Sequence, residues 1–330
     1  MKKIVSFFGD QSEIFCELNQ RAKEYAASLD MEYRWIPQNP FSQEEVIREL
    51  QNADAGIIDI EPYGEPIFSQ VKDSAKLLVR FGVGFDKVDL KAASRNGIAV
   101  ARTTGANTTG VAEMALTLIL ACKRRINTYQ ARTKSGQWLK DIGHEIIGGT
   151  VGIIGYGSIG RRLARLLSGF DCRILAYDPF PKKEVMDADG VELVTLEELF
   201  RRADAISIHV PYTKETHHMV NRETLGMMKP TAVIVNTARG NIIDEDALYE
   251  ALKDGQIAGA GVDVFAQEPL PADSPLLTLE NAVLTPHVSS QTVESLWNIY
   301  KMAIDISADF FAGKGSPHIL NPDYADGKES

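Results

Sequence analysis

The stretch "TVGIIGYGSIGRRLARLL", residues 150–167, constrains the fold more than any other part of the chain. "VGII" is an apolar run suited to a buried strand, and "RRLARLL" has the spacing of an amphipathic helix. Between them Gly155, Gly157 and Gly160 stand in the pattern G-x-G-x-x-G. The first glycine permits the tight turn from strand to helix. The second lets a pyrophosphate approach the backbone, and the third lets the helix pack on the sheet. The unpaired N–H groups at the helix start then face the anion. With 26 glycines in 330 residues, three at these offsets arise by chance in roughly one such chain in six. The flanking strand and helix therefore carry the inference. A second glycine pair, Gly82 and Gly84 in "FGVGFD", fails the pattern because Lys87 takes the third place.

The next apolar run, "RILAYD", ends in Asp178, which lies 178 − 155 = 23 residues beyond the first glycine. An acid about 20 residues on accepts hydrogen bonds from the adenosine ribose and repels a 2′-phosphate. NAD is expected over NADP, although Lys182 and Lys183 lie close enough to keep NADP as the alternative.

Around this unit, strand-like and helix-like segments alternate along the chain. "KIVSFF", "AGIID", "KLLVR" and "IAV" precede it, with "QEEVIRELQ" and "LKAASRN" between them. "CRILAYD", "AISIHV", "AVIVN", "GAGVDVF" and "AVLTPH" follow, with "DEDALYEALKDG" among them. Such alternation predicts an α/β protein of parallel sheets wrapped by helices. One continuous helix is expected from about 108 to 132, its basic trio Lys123, Arg124 and Arg125 a solvated end. Another spans about 291–312, and "GKG" after it suggests a loose tail.

At 330 residues the chain is too long for one core and predicts two domains. A hydrophobic content of 44% and a charged content of 24% exclude global disorder. The net charge of −10 leaves no basic surplus for nucleic acid or an anionic membrane. Cys16, Cys122 and Cys172 show no metal-ligand spacing and read as reduced thiols, which points to the cytoplasm. The apolar start "KIVSFF" is too short for a signal peptide, and "VAEMALTLILAC" too short to span a bilayer. A metal site is not expected, since the adjacent His217 and His218 do not share a helical face.

Three further motifs end strands of the second series: "NTARG" with Arg239, "DVFAQEP" with Asp263 and Glu268, and "TPH" with His287. Ligands of open α/β sheets collect at the carboxyl ends of strands. There an arginine can grip a carboxylate or carbonyl, and a histidine can protonate a developing alkoxide. A carboxylate bonded to an imidazole favours its charged form. The set suits reduction of a 2-keto acid.

At these residues the chain resembles the D-isomer-specific 2-hydroxyacid dehydrogenases. The likeness runs through "VRFGVGFDKVDL", "ANTTGVAE", "GIIGYGSIG", "HVPYTKET", "VNTARG" and "GVDVFAQEPL" to "TPHVSS", and within the family it is nearest phosphoglycerate dehydrogenase-like and hydroxypyruvate reductase-like members. The resemblance implies two Rossmann-like domains with an interdomain cleft. A flavodoxin-like substrate domain would comprise 1–102 and 289–330, and a doubly wound NAD-binding domain 103–288. It implies Arg239 as substrate anchor, His287 as general acid/base, Glu268 as its partner, and Asp263 near the nicotinamide. Backbone N–H groups at Val83 and Gly84 would take the substrate carboxylate, while Arg80 either reaches the substrate mouth or caps its strand. Further cofactor contacts would be Thr108, Tyr156, Gly157, Ser158, Ile159, His209, Val210, Pro211, Thr216, Thr237, Ala238 and Ser289, with His209 packing near the cofactor instead of transferring protons. A homodimer is implied, and Trp138 is either core or dimer contact.

Two departures bear on substrate. The loop "IDIEPYGEP" offers Asp59 and Glu61 where phosphoglycerate-acting members tend to carry an arginine, and like charge repels a phosphate. Arg102 and Thr104 replace the usual Asn and Pro of the hinge-side motif, and Arg102 either restores the missing positive charge or faces solvent. The expected substrate is a small 2-keto acid of the hydroxypyruvate or glyoxylate type. The alternative is D-3-phosphoglycerate, in an enzyme without the regulatory C-terminal domain, for which the chain ends too early. An NAD(H)-sensing corepressor-like protein and a formate dehydrogenase share the scaffold. No basic patch supports the first, and a histidine–glutamate pair has no task in the second.

Overall fold

In both sheets of this protein every paired strand runs parallel to its neighbour, as strand–helix–strand connectivity requires. A computed structural model describes residues 1–38 and 40–328. The chain divides into two compact units, Met1–Asn107 with Thr292–Ser330, and Thr108–Gln291.

The first unit holds β1 (Lys2–Ser6), β2 (Met31–Trp35), β3 (Ala55–Ile58), β4 (Leu77–Arg80) and β5 (Ala99–Arg102), in the order β2-β1-β3-β4-β5. This is the flavodoxin-like order. Alternate residues of each strand serve opposite faces. Ile4, Ile57, Leu77 and Val79 pack with Leu296, Ile299 and Tyr300 of the final helix, Val293–Phe311. Val5, Ile58, Leu78 and Val100 meet the helices of the other face, through Val46, Leu50 and Phe68. A parallel sheet needs both faces covered, so its strands read as unbroken apolar runs. β2, "MEYRW", escapes that signal because it lies at the edge and carries exposed Arg34 among its buried residues.

The second unit holds β6 (Thr150–Ile154), β7 (Arg173–Tyr177), β8 (Glu192–Leu193), β9 (Ala205–Ile208), β10 (Val233–Asn236), β11 (Gly259–Val262) and β12 (Ala282–Leu284). Their order, β12-β11-β10-β9-β6-β7-β8, is that of a dinucleotide-binding sheet with one added strand. The chain reverses direction across the sheet between β6 and β9, and ligands of such sheets bind beyond the carboxyl ends at that point.

Three expectations are corrected. The helix expected over 108–132 is two, Thr108–Lys123 and Ile126–Lys134, broken where Arg125 adopts a φ of 52°. Lys123 is not a solvated end: it is 5% exposed, and its Nζ donates to the carbonyls of Asp204 and Thr231 at 3.5 and 3.4 Å. Burial pushes this ammonium below its ordinary range, with Asp204 opposing. The first helix ends at Lys123, whose carbonyl is taken by His144 N–H at 2.9 Å.

The tail after the final helix is not loose. Ile319 bridges Ala101 antiparallel, and Leu320 N–H donates to Val100 at 2.8 Å. The Asn321 amide, 3% exposed, accepts from Val100 N–H at 2.7 Å and donates to Ile98 at 2.9 Å. A single asparagine thus continues the ladder along β5, a hydrogen-bonding role that apolar periodicity does not report. Among the described residues, no helix is long and apolar enough to cross a membrane.

Candidate active site

In the second unit the sequence motifs lie along one edge of the sheet. Gly155 follows β6 directly, Asp178 follows β7, and His209 follows β9. Arg239, Glu268 and His287 come three, six and three residues after β10, β11 and β12, which are consecutive neighbours. Parallel order puts all six at carboxyl ends.

The glycines are fixed by sterics. Gly155 has a φ of +94°, and a Cβ there would lie 2.8 Å from the His209 carbonyl carbon. A Cβ at Gly160 would lie 2.2 Å from the carbonyl oxygen of Gly155, so only hydrogen lets the Ser158–Leu167 helix sit this close to the turn. At Gly157 a Cβ would meet nothing within 4 Å. That open, exposed position next to exposed Ser158 at the start of a ten-residue helix suits a pyrophosphate. Asp178 accepts Tyr156 N–H at 2.7 Å and Phe180 N–H at 2.8 Å, which locks the acid against the glycine turn. Among the described residues, the buried hydroxyl oxygens of Thr108 and Thr237 have no hydrogen-bond partner, as fits groups awaiting a polar ligand. These residues fit a dinucleotide.

The other cofactor candidates divide. The Thr216 hydroxyl donates to Pro211 at 2.8 Å and accepts Thr213 N–H at 2.7 Å, holding its own loop beside buried Val210. His209 Nε2 lies 2.9 Å from the Ser207 hydroxyl. Burial pushes its imidazole down to about 4, so it is neutral at neutral pH and does not act as an imidazolium acid. Ile159 packs against the core, Ala238 N–H binds the Asn236 side chain, and Pro211 is exposed.

The three candidate residues Arg239, Glu268 and His287 are braced from within. His287 Nδ1 lies 2.8 Å from Glu268 Oε2, in a pair whose side chains are 45% and 36% exposed and so open to a ligand. That bond leaves Nε2 as the nitrogen for proton exchange. The second Glu268 oxygen accepts Phe265 N–H at 3.0 Å. Arg239 donates to Ala238 O at 2.6 Å, and its loop is pinned by Asn236, whose side chain donates to Arg239 O at 2.9 Å and accepts Ala238 N–H at 3.0 Å. A Cβ at Gly240 would fall 1.9 Å from the Phe265 carbonyl carbon, so the arginine loop and the glutamate loop are in direct contact. Asn236 and Gly240 were not singled out in the sequence. Both lie inside "VNTARG", but their tasks are contacts between loops.

Arg80, Val83 and Gly84 belong to the first unit. The Val83–Gly84 turn follows Gly82, whose N–H donates to the Thr103 hydroxyl at 2.9 Å and whose φ is +112°. The Arg80 guanidinium, in a residue 8% exposed, donates to the carbonyls of Phe81 and Ile58 at its strand end and lies 3.8 Å from Asp59. The Arg102 guanidinium lies 5.3 Å from the Phe85 ring centre, a cation–π contact with this same turn. Trp138 is 81% exposed, which removes the core reading.

Burial pushes the Asp59 carboxyl up to about 6, against the pull of Arg80 and with help from Glu61. A raised carboxyl pKa stabilises the fold below the unfolded value, and that contribution is lost as pH rises through about 6. Urea unfolding of Asp59→Asn and the parent should therefore diverge in the variant's favour between acid and neutral pH. The change should be on the order of 2–3 kcal/mol, at about 1.4 kcal/mol per pKa unit. A stability difference that does not vary with pH would refute the assignment.

The topology and the glycine turn define a dinucleotide-binding domain. Residues 116–289 match the family model "D-isomer specific 2-hydroxyacid dehydrogenase, NAD binding domain". The chain is 38% identical over 296 residues to a glyoxylate reductase of Korarchaeum cryptofilum, covering 87% of this chain and 88% of that one. It is 44% identical over 225 residues to a hydroxypyruvate reductase of Thermotoga maritima, covering 67% and 72%. It is 42% identical over 260 residues to a D-3-phosphoglycerate dehydrogenase of Methanocaldococcus jannaschii, covering 77% of this chain and 49% of that one. The chain belongs to the D-isomer-specific 2-hydroxyacid dehydrogenases and is an NAD-dependent oxidoreductase.

Proposed function

We propose that this protein reduces glyoxylate or hydroxypyruvate to the corresponding 2-hydroxy acid, with His287 as proton donor. The observation that carries the reading is the bond between His287 Nδ1 and Glu268, made beyond β11 and β12 beside the strand end that bears Arg239. The glycine turn after β6 and Asp178 after β7 would hold NADH, which would supply a hydride. The Arg239 fork holds the substrate carboxylate and draws electron density toward the carbonyl oxygen. As the C–O double bond becomes a C–O single bond, the proton passes from His287 Nε2 to the oxygen. Glu268 fixes the tautomer and ring orientation and stabilises the imidazolium before transfer.

The names of the glyoxylate and hydroxypyruvate reductases support the substrate. The phosphoglycerate dehydrogenase relative supports a phosphorylated three-carbon acid as the second reading. Against it, the loop after β3 carries Asp59 and Glu61. Steady-state oxidation of NADH with glyoxylate, hydroxypyruvate and 3-phosphohydroxypyruvate should give the largest kcat/KM for an unphosphorylated acid. Turnover confined to the phosphorylated acid would reverse the assignment. Replacing NADH by NADPH in the same assay should lower kcat/KM, because the Asp178 carboxylate beside the glycine turn would repel a 2′-phosphate.

A homodimer is part of the proposal. Trp138, Leu139, Ile142 and Ile147 are 81%, 60%, 87% and 59% exposed within a short span of the second unit. Exposed apolar side chains grouped in this way mark association surfaces. Sedimentation velocity should give a dimer that Trp138→Asp converts to monomer. A parent chain that sediments as a monomer would exclude it.

A further inference from the structure

The glycine turn is tied to a segment that no motif marks. Eleven residues beyond Asp178 (189 − 178 = 11), Asp189 caps the end of the helix Lys183–Ala188. Its Oδ2 accepts the Tyr156 hydroxyl at 3.1 Å and Arg161 Nε at 2.6 Å, and its Oδ1 accepts a terminal Arg161 nitrogen at 3.1 Å. Two parallel bonds from one guanidinium are the strong, directional form of an arginine–carboxylate pair. Tyr156 stands between Gly155 and Gly157, and Arg161 follows Gly160. The Arg161 bonds hold the Asp189 carboxyl below its ordinary range, while burial and the Asp189 charge hold the Tyr156 phenol above its own. The acceptor is therefore charged and the phenol keeps its proton at neutral pH.

Tyr156 reaches both ends of the segment 178–189. Its N–H donates to the Asp178 carboxylate at 2.7 Å, and its hydroxyl donates to Asp189. Between these ends Pro179 and Pro181 fix two φ angles, and Phe180 N–H is bound to Asp178 at 2.8 Å. Such a stretch bends little within itself and moves chiefly about its ends. Met186, 1% exposed, packs into the core and keeps the short helix seated whether or not Asp189 is held. Charge is sorted along the segment. Lys183 Nζ lies 2.7 Å from Asp187, and exposed Lys182 stands four residues from Asp178. A swing of the segment would change the balance between the Asp178 anion and the Lys182 cation beside the glycine turn.

We propose that Asp189 is a positioning residue for cofactor choice: held by Tyr156 and Arg161, it clamps segment 178–189 to the glycine turn and keeps the Asp178 carboxylate where it repels a 2′-phosphate. The proposal rests on Asp178 as the acid that meets the ribose. Asp189 and Arg161 act through Asp178 and are not assigned to the dinucleotide itself.

The test measures NADH and NADPH affinity by fluorescence titration for the parent, Asp189→Ala, Asp189→Glu, Arg161→Ala and the double Arg161→Ala, Asp189→Ala variant. Each is also melted thermally, and Asp178→Ala is run in parallel. Asp189→Ala should weaken NADH binding by about 3–10-fold, the scale of an ion pair with good fork geometry. NADPH should lose less, so the preference for NADH narrows. Asp189→Glu, which keeps the carboxylate, should recover most of the preference. Arg161→Ala and the double variant should match Asp189→Ala, because each opens the same clamp and losses within one network do not add. In steady state the loss should appear in the KM for NADH, with kcat at saturating NADH as in the parent. An equal fall in both affinities with a lowered melting temperature would leave the clamp merely structural. A double variant with the parent's preference would trace the change to a released guanidinium instead of the segment's position. Either result overturns the proposal, as do parental affinities for both cofactors in Asp189→Ala. Parental preference in Asp178→Ala would instead remove the reading beneath it.

Discussion

His287→Ala is expected to lower kcat by ~10²–10⁴, the usual cost of losing a general acid, while NADH binds as before. The separation of effects follows from where the side chain is held. His287 is bonded to Glu268 and to the backbone of Asp263, whereas the dinucleotide features are the glycine turn after β6 and Asp178 after β7. In the sheet order β12 and β6 are separated by β11, β10 and β9, so the two groups of residues are distinct. Glu268→Gln should show a smaller loss, since the amide still contacts Nδ1 but no longer carries the charge that stabilises the imidazolium. Stopped-flow mixing of enzyme and NADH with keto acid would locate the defect. A slowed chemical step supports the assignment. Full activity in His287→Ala removes it.

The second large effect belongs to Arg239. Arg239→Ala should reduce kcat/KM for the keto acid by about 10²–10³, the scale of removing one preorganised donor from a developing oxyanion. Both KM and kcat should suffer, because the same guanidinium meets the ground-state carboxylate and the reacting carbonyl. Arg239→Lys should recover only part of the loss, since an ammonium cannot reproduce the planar fork. Full recovery with lysine would show that charge alone matters. Asn236 gives an internal control: its amide grips the Arg239 loop at two points, so Asn236→Ala should shift kcat/KM in the same direction by less.

Much of this architecture was legible in the sequence because the signals were local. A strand buried on both faces must be apolar throughout, which made "VGII", "AISI" and "VIVN" visible. Gly155 and Gly160 were legible because contacts at 2.8 and 2.2 Å from a would-be Cβ exclude every other residue. The trio proposed to be catalytic appeared as motifs at strand ends, and the family resemblance implied their roles. What stayed hidden depended on contacts distant in sequence. Lys123 looked like a solvated cation, yet its partners are carbonyls 81 and 108 residues away. Asn321 looked like tail, yet it bonds residues more than 220 positions earlier. The break at Arg125, with its φ of 52°, follows directly on the buried Lys123. Asp263 was visible as an acid beside a motif, but its saturation by Thr285, Val288 and Ser289 is a three-dimensional fact.

The segment that follows the last helix has a consequence for colloidal behaviour. β5 ends the five-stranded sheet, and an uncovered border strand offers its amides and carbonyls to any passing chain. Residues 318–321 occupy that border with backbone and asparagine bonds, so intermolecular strand addition is blocked there by the protein's own chain. The opposite border, β2, relies on a different safeguard, since exposed Arg34 and its neighbour Glu32 make sticking costly through charge.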